Sequence, residues 1–264
     1  MDYKGIAFEK NGGIATITFD RPDAANGLDM DATISLMNAA VECSEDSSIR
    51  AVILTGRGDR FFSAGGDLKA FTSMGDQVGQ GVKLMTMYLH QAVSLFQRMN
   101  APLICAVNGI AAGAGVSLAA MGDLVLAKES ASFTLAYTNG GLSPDGSSTY
   151  FLPRVIGLRR TQELMITNRK LSATEAQDWG LVTRAVPEAE FEDEVQKLAE
   201  RLAAGPTQAY GGVKSMLVET FNSSLEHQME LEARTISRLI QGDDAQEGMR
   251  AFAAKERPNY KGQS

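Results

Sequence analysis

Two glycine-rich passages could do chemistry through the backbone alone. Gly65-Gly66 follows the apolar Phe61-Phe62 and opens into a helical pattern at Asp67-Leu68. Gly113-Ala114-Gly115 lies beyond Leu103–Val107, an apolar run that reads as a buried strand, and beyond the Asn108-Gly109 break. Ala111–Ala120 is small and apolar and is expected to be helical. A strand that feeds a glycine-rich turn and then a helix leaves N–H groups unpaired over the turn. Small side chains there let a ligand come close to the backbone. One N–H from each passage could converge on an oxygen that becomes anionic in a transition state. The same glycines would also serve tight turns and close packing. Gly113–Leu118 lacks the third glycine of a dinucleotide fingerprint, and no Gly-Lys-Ser/Thr phosphate loop is present.

Among side chains, Asp145 follows Pro144 and precedes Gly146-Ser147-Ser148. It suits a turn or helix cap, or a general base at the edge of an apolar pocket. Ser117 sits in Gly115-Val116-Ser117-Leu118-Ala119, close to a nucleophile elbow, but Ile110–Ala114 separate it from the preceding strand. His227, the histidine a triad would need, lies in a charged pattern with Glu226 and Glu230. His90 borders the apolar stripe Met85, Leu89, Val93, Phe96. Phe71, Met74, Met85, Met87 and Tyr88 could wall an acyl pocket or simply pack as core. Lys69, Lys255 and Lys261 are candidate phosphate partners or solvated charges.

The chain that must position these groups has 264 residues, 44% hydrophobic and 22% charged, enough for one large or two small domains with a core. A net charge of −7 without basic clusters argues against nucleic acid as a partner. Two histidines, and cysteines only at 43 and 105, argue against a metal site or a disulfide framework and for a reducing, cytoplasmic setting. The N-terminal MDYKGIAFEK lacks an export signature. No apolar run approaches the roughly 18 residues a membrane span needs.

The patterning predicts a hairpin, Ile6–Phe8 and Ile14–Phe19, around Asn11-Gly12-Gly13. It predicts a helix over Met30–Cys43, strands at Ala51–Leu54, Leu124–Ala127 and Ser132–Ala136, and a long amphipathic helix over Val82–Met99. Gly75–Gly81 reads as a mobile loop, and Asn139–Ser148 as a glycine- and serine-rich passage. From Gly157 onward helices dominate: Arg159–Thr167, Ala173–Trp179, Glu190–Ala203, Gln208–Phe221, Leu225–Ile240 and Ala245–Lys255. Lys255–Ser264 reads as an exposed tail. Alternating strands and helices followed by helices indicate an α/β core with a helical C-terminal segment.

The chain resembles the crotonase (enoyl-CoA hydratase/isomerase) superfamily from about Ile14 to Gly262. FSAGGDL at Phe62–Leu68, AVNGIAAGAGVSLAAMGD at Ala106–Asp123 and GLSPDGSSTYFLPRVIG at Gly141–Gly157 carry the resemblance. LSATEAQDWGLV at Leu171–Val182 and EGMRAFAAKERPNYKG at Glu247–Gly262 extend it. The resemblance implies a spiral of ββα units over residues 1–200 and a helical trimerisation region over 201–264, with trimers often paired into hexamers. It implies an acyl-CoA thioester as substrate, coenzyme A being part of that substrate, and no further cofactor. By position, Gly66 and Ala114 match the two backbone donors that hold an enolate. The two water-handling glutamates of the hydratases map to Ser117 and Tyr137, which argues against hydration. Asp145 matches the aspartate of a subgroup that includes the epoxide isomerases of phenylacetyl-CoA breakdown and related enoyl-CoA isomerases, so a β,γ to α,β isomerase is the expectation. The 4-chlorobenzoyl-CoA dehalogenases also carry an aspartate there and a histidine matching His90, but a tryptophan at Tyr137. By the same resemblance Ala24, Ala25, Ala64, Asp67, Leu68, Lys69 and Tyr137 line the coenzyme A and substrate site, with Phe71, Met85 and His90 at the acyl pocket.

Overall fold

The structure, a computed structural model, describes residues 2–262. The strands are β1 (Ile6–Asn11), β2 (Ile14–Phe19), β3 (Ala51–Gly56), β4 (Phe61–Ser63), β5 (Leu103–Val107), β6 (Ile110–Ala112), β7 (Leu124–Lys128), β8 (Ser132–Thr134), β9 (Leu171–Ser172) and β10 (Arg184–Val186). The helices are α1 (Met30–Glu45), α2 (Leu68–Ser73), α3 (Val78–Arg98), α4 (Ala114–Ala120), α5 (Ser148–Val155), α6 (Leu158–Thr167), α7 (Ala173–Trp179), α8 (Phe191–Ala203), α9 (Thr207–Glu219), α10 (Leu225–Leu239) and α11 (Asp243–Ala254). Among the described residues no helix is long and apolar enough to cross a membrane.

The strands form two sheets, ordered β1-β2-β3-β5-β7-β10 and β4-β6-β8-β9. Strands β3, β5 and β7 of the first sheet are each followed by a strand of the second, β4, β6 and β8, before the chain enters helix. The result is a spiral of ββα turns. Only β1–β2 and β8–β9 pair antiparallel among the described residues. In β3 and β5 successive residues face opposite sides, and both sides are covered. Val52, Leu54, Leu103, Cys105 and Val107 join the main core, while Ala51, Ile53, Ile104 and Ala106 pack with Phe191, Val195 and Ala199 of α8. Burial on both faces is why these strands read as unbroken apolar runs.

The C-terminal helices are fastened to the spiral by a buried lysine paired with a partly exposed aspartate. The Lys214 ammonium of α9 lies 2.6 Å from Asp123 and donates to the carbonyls of Phe96 (2.8 Å) and Ala101 (3.0 Å). Burial pulls this lysine below its usual pKa, with Asp123 opposing.

Three expectations are corrected and a fourth gains detail. Ile110–Ala112 is strand and the helix starts only at Ala114, because β6 pairs with β4 on one side and β8 on the other. Gly75–Gly81 is no loop: Gly75–Gln77 makes a short turn of 3-10 helix and Gly79 and Gly81 lie in α3, where Met74 packs against Gly81. The region after Gly157 includes two short strands, β9 and β10, that pair with β8 and β7. The segment from Lys255 to Gly262 is exposed from Lys255 to Asn259, as expected, and is also tied down. Asp244 accepts the N–H groups of Lys261 and Gly262, Glu247 accepts that of Asn259, and Arg50 donates to the Tyr260 carbonyl. Gln263 and Ser264, the end of the expected tail, lie outside the described residues.

Candidate active site

Because β4 and β6 run parallel as neighbours, their C-terminal ends leave the small sheet at one edge. That brings the two glycine passages into contact. A Cβ on Gly65 would lie 2.6 Å from the Ala114 nitrogen and 2.8 Å from the Ala112 carbonyl oxygen, and Gly65 has φ +83°. Only glycine accommodates both the approach and the dihedral. Gly113 turns the chain from β6 into α4 at φ +52°. The residues flanking Gly66 are pinned: the Gly65 carbonyl accepts the Leu28 N–H (2.7 Å), and the Asp67 N–H donates to the Leu28 carbonyl (2.8 Å). Gly66 N–H itself, and the Ala114 N–H at the first position of α4, have no acceptor among the described residues. Two free, neighbouring backbone donors are thus built by the fold.

Asp145 is held beside Ser117, about one helical turn along α4 from Ala114. Ser117 Oγ donates to the Asp145 carbonyl at 2.9 Å, and Gly146 packs on the Ser117 side chain. The carboxylate does not cap α5. Ser147 stands at the cap position, and Asp145 Oδ1 instead accepts the Tyr137 hydroxyl at 2.6 Å. Oδ2 has no donor among the described residues. Burial, then the charge and hydrogen bond of Asp145, push the Tyr137 phenol above its usual pKa. His90 Nε2 accepts the Gly146 N–H at 3.3 Å. Gly146 and Ser147 both have positive φ, 60° and 75°. For serine this is strain, of the kind that surrounding contacts must hold in place.

The chain matches the enoyl-CoA hydratase/isomerase family model over residues 9–263. It belongs to that family. Among its relatives is a 1,2-epoxyphenylacetyl-CoA isomerase of Escherichia coli K12, 36% identical, the match covering 95% of each chain. A 4-chlorobenzoyl coenzyme A dehalogenase of an Arthrobacter species is 34% identical over 95% of this chain and 91% of its own. The crystal structure of an enoyl-CoA hydratase from Bacillus anthracis superposes with a TM-score of 0.92 at 31% identity, covering 98% of this chain and 100% of the other. The enoyl-CoA hydratase/isomerase family therefore supplies the fold and the acyl-CoA enzyme class, and its members divide over the reaction.

The other residues expected at the site are spread over several elements. The Phe71 ring covers Gly66, with Cζ 2.6 Å from where a Cβ would be. Met85 is buried but belongs to neither core cluster. Leu68 and Lys69 are exposed at the start of α2. Ala24 and Ala25 form a short turn whose Ala25 carbonyl accepts the Ala64 N–H at 3.0 Å, tying that loop to the Gly66 passage. A cleft of about 270 Å³ opens beside it, with Arg57 and Arg60 among its walls. The Asp67 side chain has other work: it caps α2 and lies 2.9 Å from Arg21. Burial opposes its charge, but the Ala70 N–H and Arg21 hold the carboxyl below its usual range. Ser117 as a nucleophile is excluded by its place, fully buried and turned to the Asp145 carbonyl. His227 sits exposed in the first turn of α10, outside this cluster.

Sequence reasoning did not foresee Ser117 and Ser148 as holders of Asp145. The Asp145 carbonyl accepts both hydroxyls, that of Ser148 at 3.0 Å. The Asp-Gly-Ser-Ser spacing signals a turn, which covers Ser148, but nothing local signals Ser117. A second cavity, about 400 Å³ and apolar, lies between α9, α10 and α11, lined by Ala209, Leu239, Met249, Phe252 and Tyr260 among others. None of the candidate site residues lines it.

Proposed function

We propose that this protein is an acyl-CoA isomerase that moves a double bond from the β,γ to the α,β position of a coenzyme A thioester. One observation carries the reading: a carboxylate with one oxygen free, on a residue whose backbone is held by Ser117, one turn along α4 from the unengaged Ala114 N–H. The thioester oxygen lies between Gly66 N–H and Ala114 N–H. Asp145 Oδ2 takes the C2 proton, and the electron pair of the broken C–H bond moves onto the thioester oxygen through a C1–C2 double bond. The dienolate then collapses to the C2–C3 double bond as Oδ2 returns the proton to C4. One carboxylate serves both transfers when C2 and C4 present a single face. Each oxyanion donor contributes about 100- to 1000-fold, and a positioned base about 100- to 10,000-fold. Phe71, Met85 and His90 wall the acyl group. Ala24, Ala25, Ala64, Leu68 and Lys69 line the path of the coenzyme A. No cofactor beyond the coenzyme A of the substrate enters this scheme. Exposed apolar side chains on and beside α9–α11, Leu217, Phe221, Ile236 and Phe252 among them, support assembly as a homotrimer or homohexamer.

Hydration needs carboxylates that activate water, and the two positions that carry them in hydratases hold Ser117 and Tyr137. A dehalogenase reading is favoured by His90 standing beside the Asp145–Gly146 segment, but the Gly146 N–H occupies the His90 nitrogen that faces it. The experiment is C2 proton exchange and isomerisation of 3-hexenoyl-CoA by wild type and Asp145→Ala. The wild type is expected to yield 2-hexenoyl-CoA, and the variant to lose about 100-fold or more. Full activity in Asp145→Ala overturns the mechanism. Hydration alone in the wild type, or halide release from 4-chlorobenzoyl-CoA, overturns the reaction.

A further inference from the structure

We infer that Ser117 and Tyr137 are positioning residues that clamp Asp145 by its two ends and leave a single carboxylate oxygen, Oδ2, to handle the proton. The inference rests on the isomerase reading and goes beyond it, assigning work to the two positions where hydratases are expected to carry acid and base. The backbone end is held by Ser117 Oγ (2.9 Å) and Ser148 Oγ (3.0 Å) on the Asp145 carbonyl. The side-chain end is held by the Tyr137 hydroxyl on Oδ1 (2.6 Å). His90 fixes the next peptide through the Gly146 N–H (3.3 Å).

Ser117 has no exposed surface, so its hydroxyl has no bulk water to turn to instead. Tyr137 reaches Asp145 from just beyond the end of β8, while Ser117 reaches it from α4. Aspartate has a free χ1 and χ2. Without the clamp its carboxylate would turn and offer either oxygen, in several poses, to C2. With Oδ1 engaged, the oxygen that accepts the C2 proton is the one that delivers it to C4. The C2–H bond breaks as Oδ2–H forms, and Oδ2–H breaks as C4–H forms. Tyr137 keeps its own proton throughout, because its phenol is pushed above the usual range and donates in both states.

The positions matter for the choice of reaction as well. A glutamate at 117 or 137 would set a second carboxylate against Asp145 and remove one arm of the clamp. Serine and tyrosine at these positions therefore disfavour water chemistry and support proton shuttling at the same time.

The test uses the full chain and measures kcat and KM for C2 exchange and isomerisation of 3-hexenoyl-CoA. Tyr137→Phe is expected to lower kcat about 10- to 100-fold, the worth of a hydrogen bond to a charged group, with KM within about threefold. Ser117→Ala is expected to lower kcat about fivefold, again with KM within about threefold. Wild-type kcat in Tyr137→Phe overturns the clamp. A raised KM with kcat unchanged also overturns it, making Tyr137 a substrate contact. Asp145→Asn run in parallel separates the two levels: if it keeps full activity, the reading of Asp145 as base fails, whatever Tyr137 does.

Discussion

Replacing Gly65 by alanine should part the two backbone donors without touching either. The added Cβ would sit 2.6 Å from the Ala114 nitrogen and 2.8 Å from the Ala112 oxygen, both backbone atoms that cannot swing aside. Ordinary contact begins near 3.4 Å, so the passages must separate by about 0.8 Å. A donor at about 2.7–3.1 Å from an oxyanion then stands beyond hydrogen-bond range, and losing one such donor costs about 100- to 1000-fold in kcat. Alanine at φ +83° adds strain of about 1–2 kcal/mol, and the overlap about 1–3 kcal/mol. For a chain of this size each kcal/mol lowers Tm by about 2–4 °C, so the melt is expected to fall by about 4–20 °C. Gly12→Ala is the control. Gly12 also has positive φ (+56°) but nothing within 4 Å, at the β1–β2 turn. Strain alone is expected to lower its Tm by about 2–8 °C and to leave kcat alone. The assay is isomerisation of 3-hexenoyl-CoA at about 20 °C, below either melt, beside thermal melts of both variants. If Gly65→Ala melts low yet keeps kcat within about threefold, Gly66 and Ala114 do not form the oxyanion hole.

Two predictions concern the C-terminal region. Lys214→Met takes the cation from Asp123 and the donor from two buried carbonyls; urea titration is expected to show a loss of about 1–3 kcal/mol, and a variant of wild-type stability would refute the fastening role. Glu247 is held down to about 2 by Arg250 first and then by the Asn259 N–H. Its folded pKa lies below the usual 4.5, so its grip on the tail is full above that value and is lost as pH falls toward about 2. Amide exchange at Asn259 is expected to accelerate through that window, more than at amides in α11, and an even response would refute the assignment.

Much of the fold was legible in the residues. The hairpin follows from alternation around Asn11-Gly12-Gly13, and α7 keeps the expected bounds because Ser172 and Glu175 form a capping box at its start. Helices α1, α6 and α8 to α11 fall within a few residues of where their periodicity puts them. The site was legible in part. Glycine at 65, 66 and 113 marked where backbone comes close, and the Pro144-Asp145-Gly146 turn marked an aspartate with a reason to be there.

By itself, then, the sequence determined which segments bury an apolar face, where the chain turns, and which family motifs it carries, because these depend on residues a few positions apart. Tertiary structure decided the rest. Ile110–Ala112 has the composition of a helix and becomes a strand because β4 and β8 lie on either side with open hydrogen-bonding edges. That pairing is what sets Gly66 beside Ala114. Asp145 could cap a helix or act as a base on local grounds alone. It is Tyr137, from just beyond β8, and Ser117, 28 residues away on α4, that hold it away from the cap of α5, through hydrogen bonds no local pattern records.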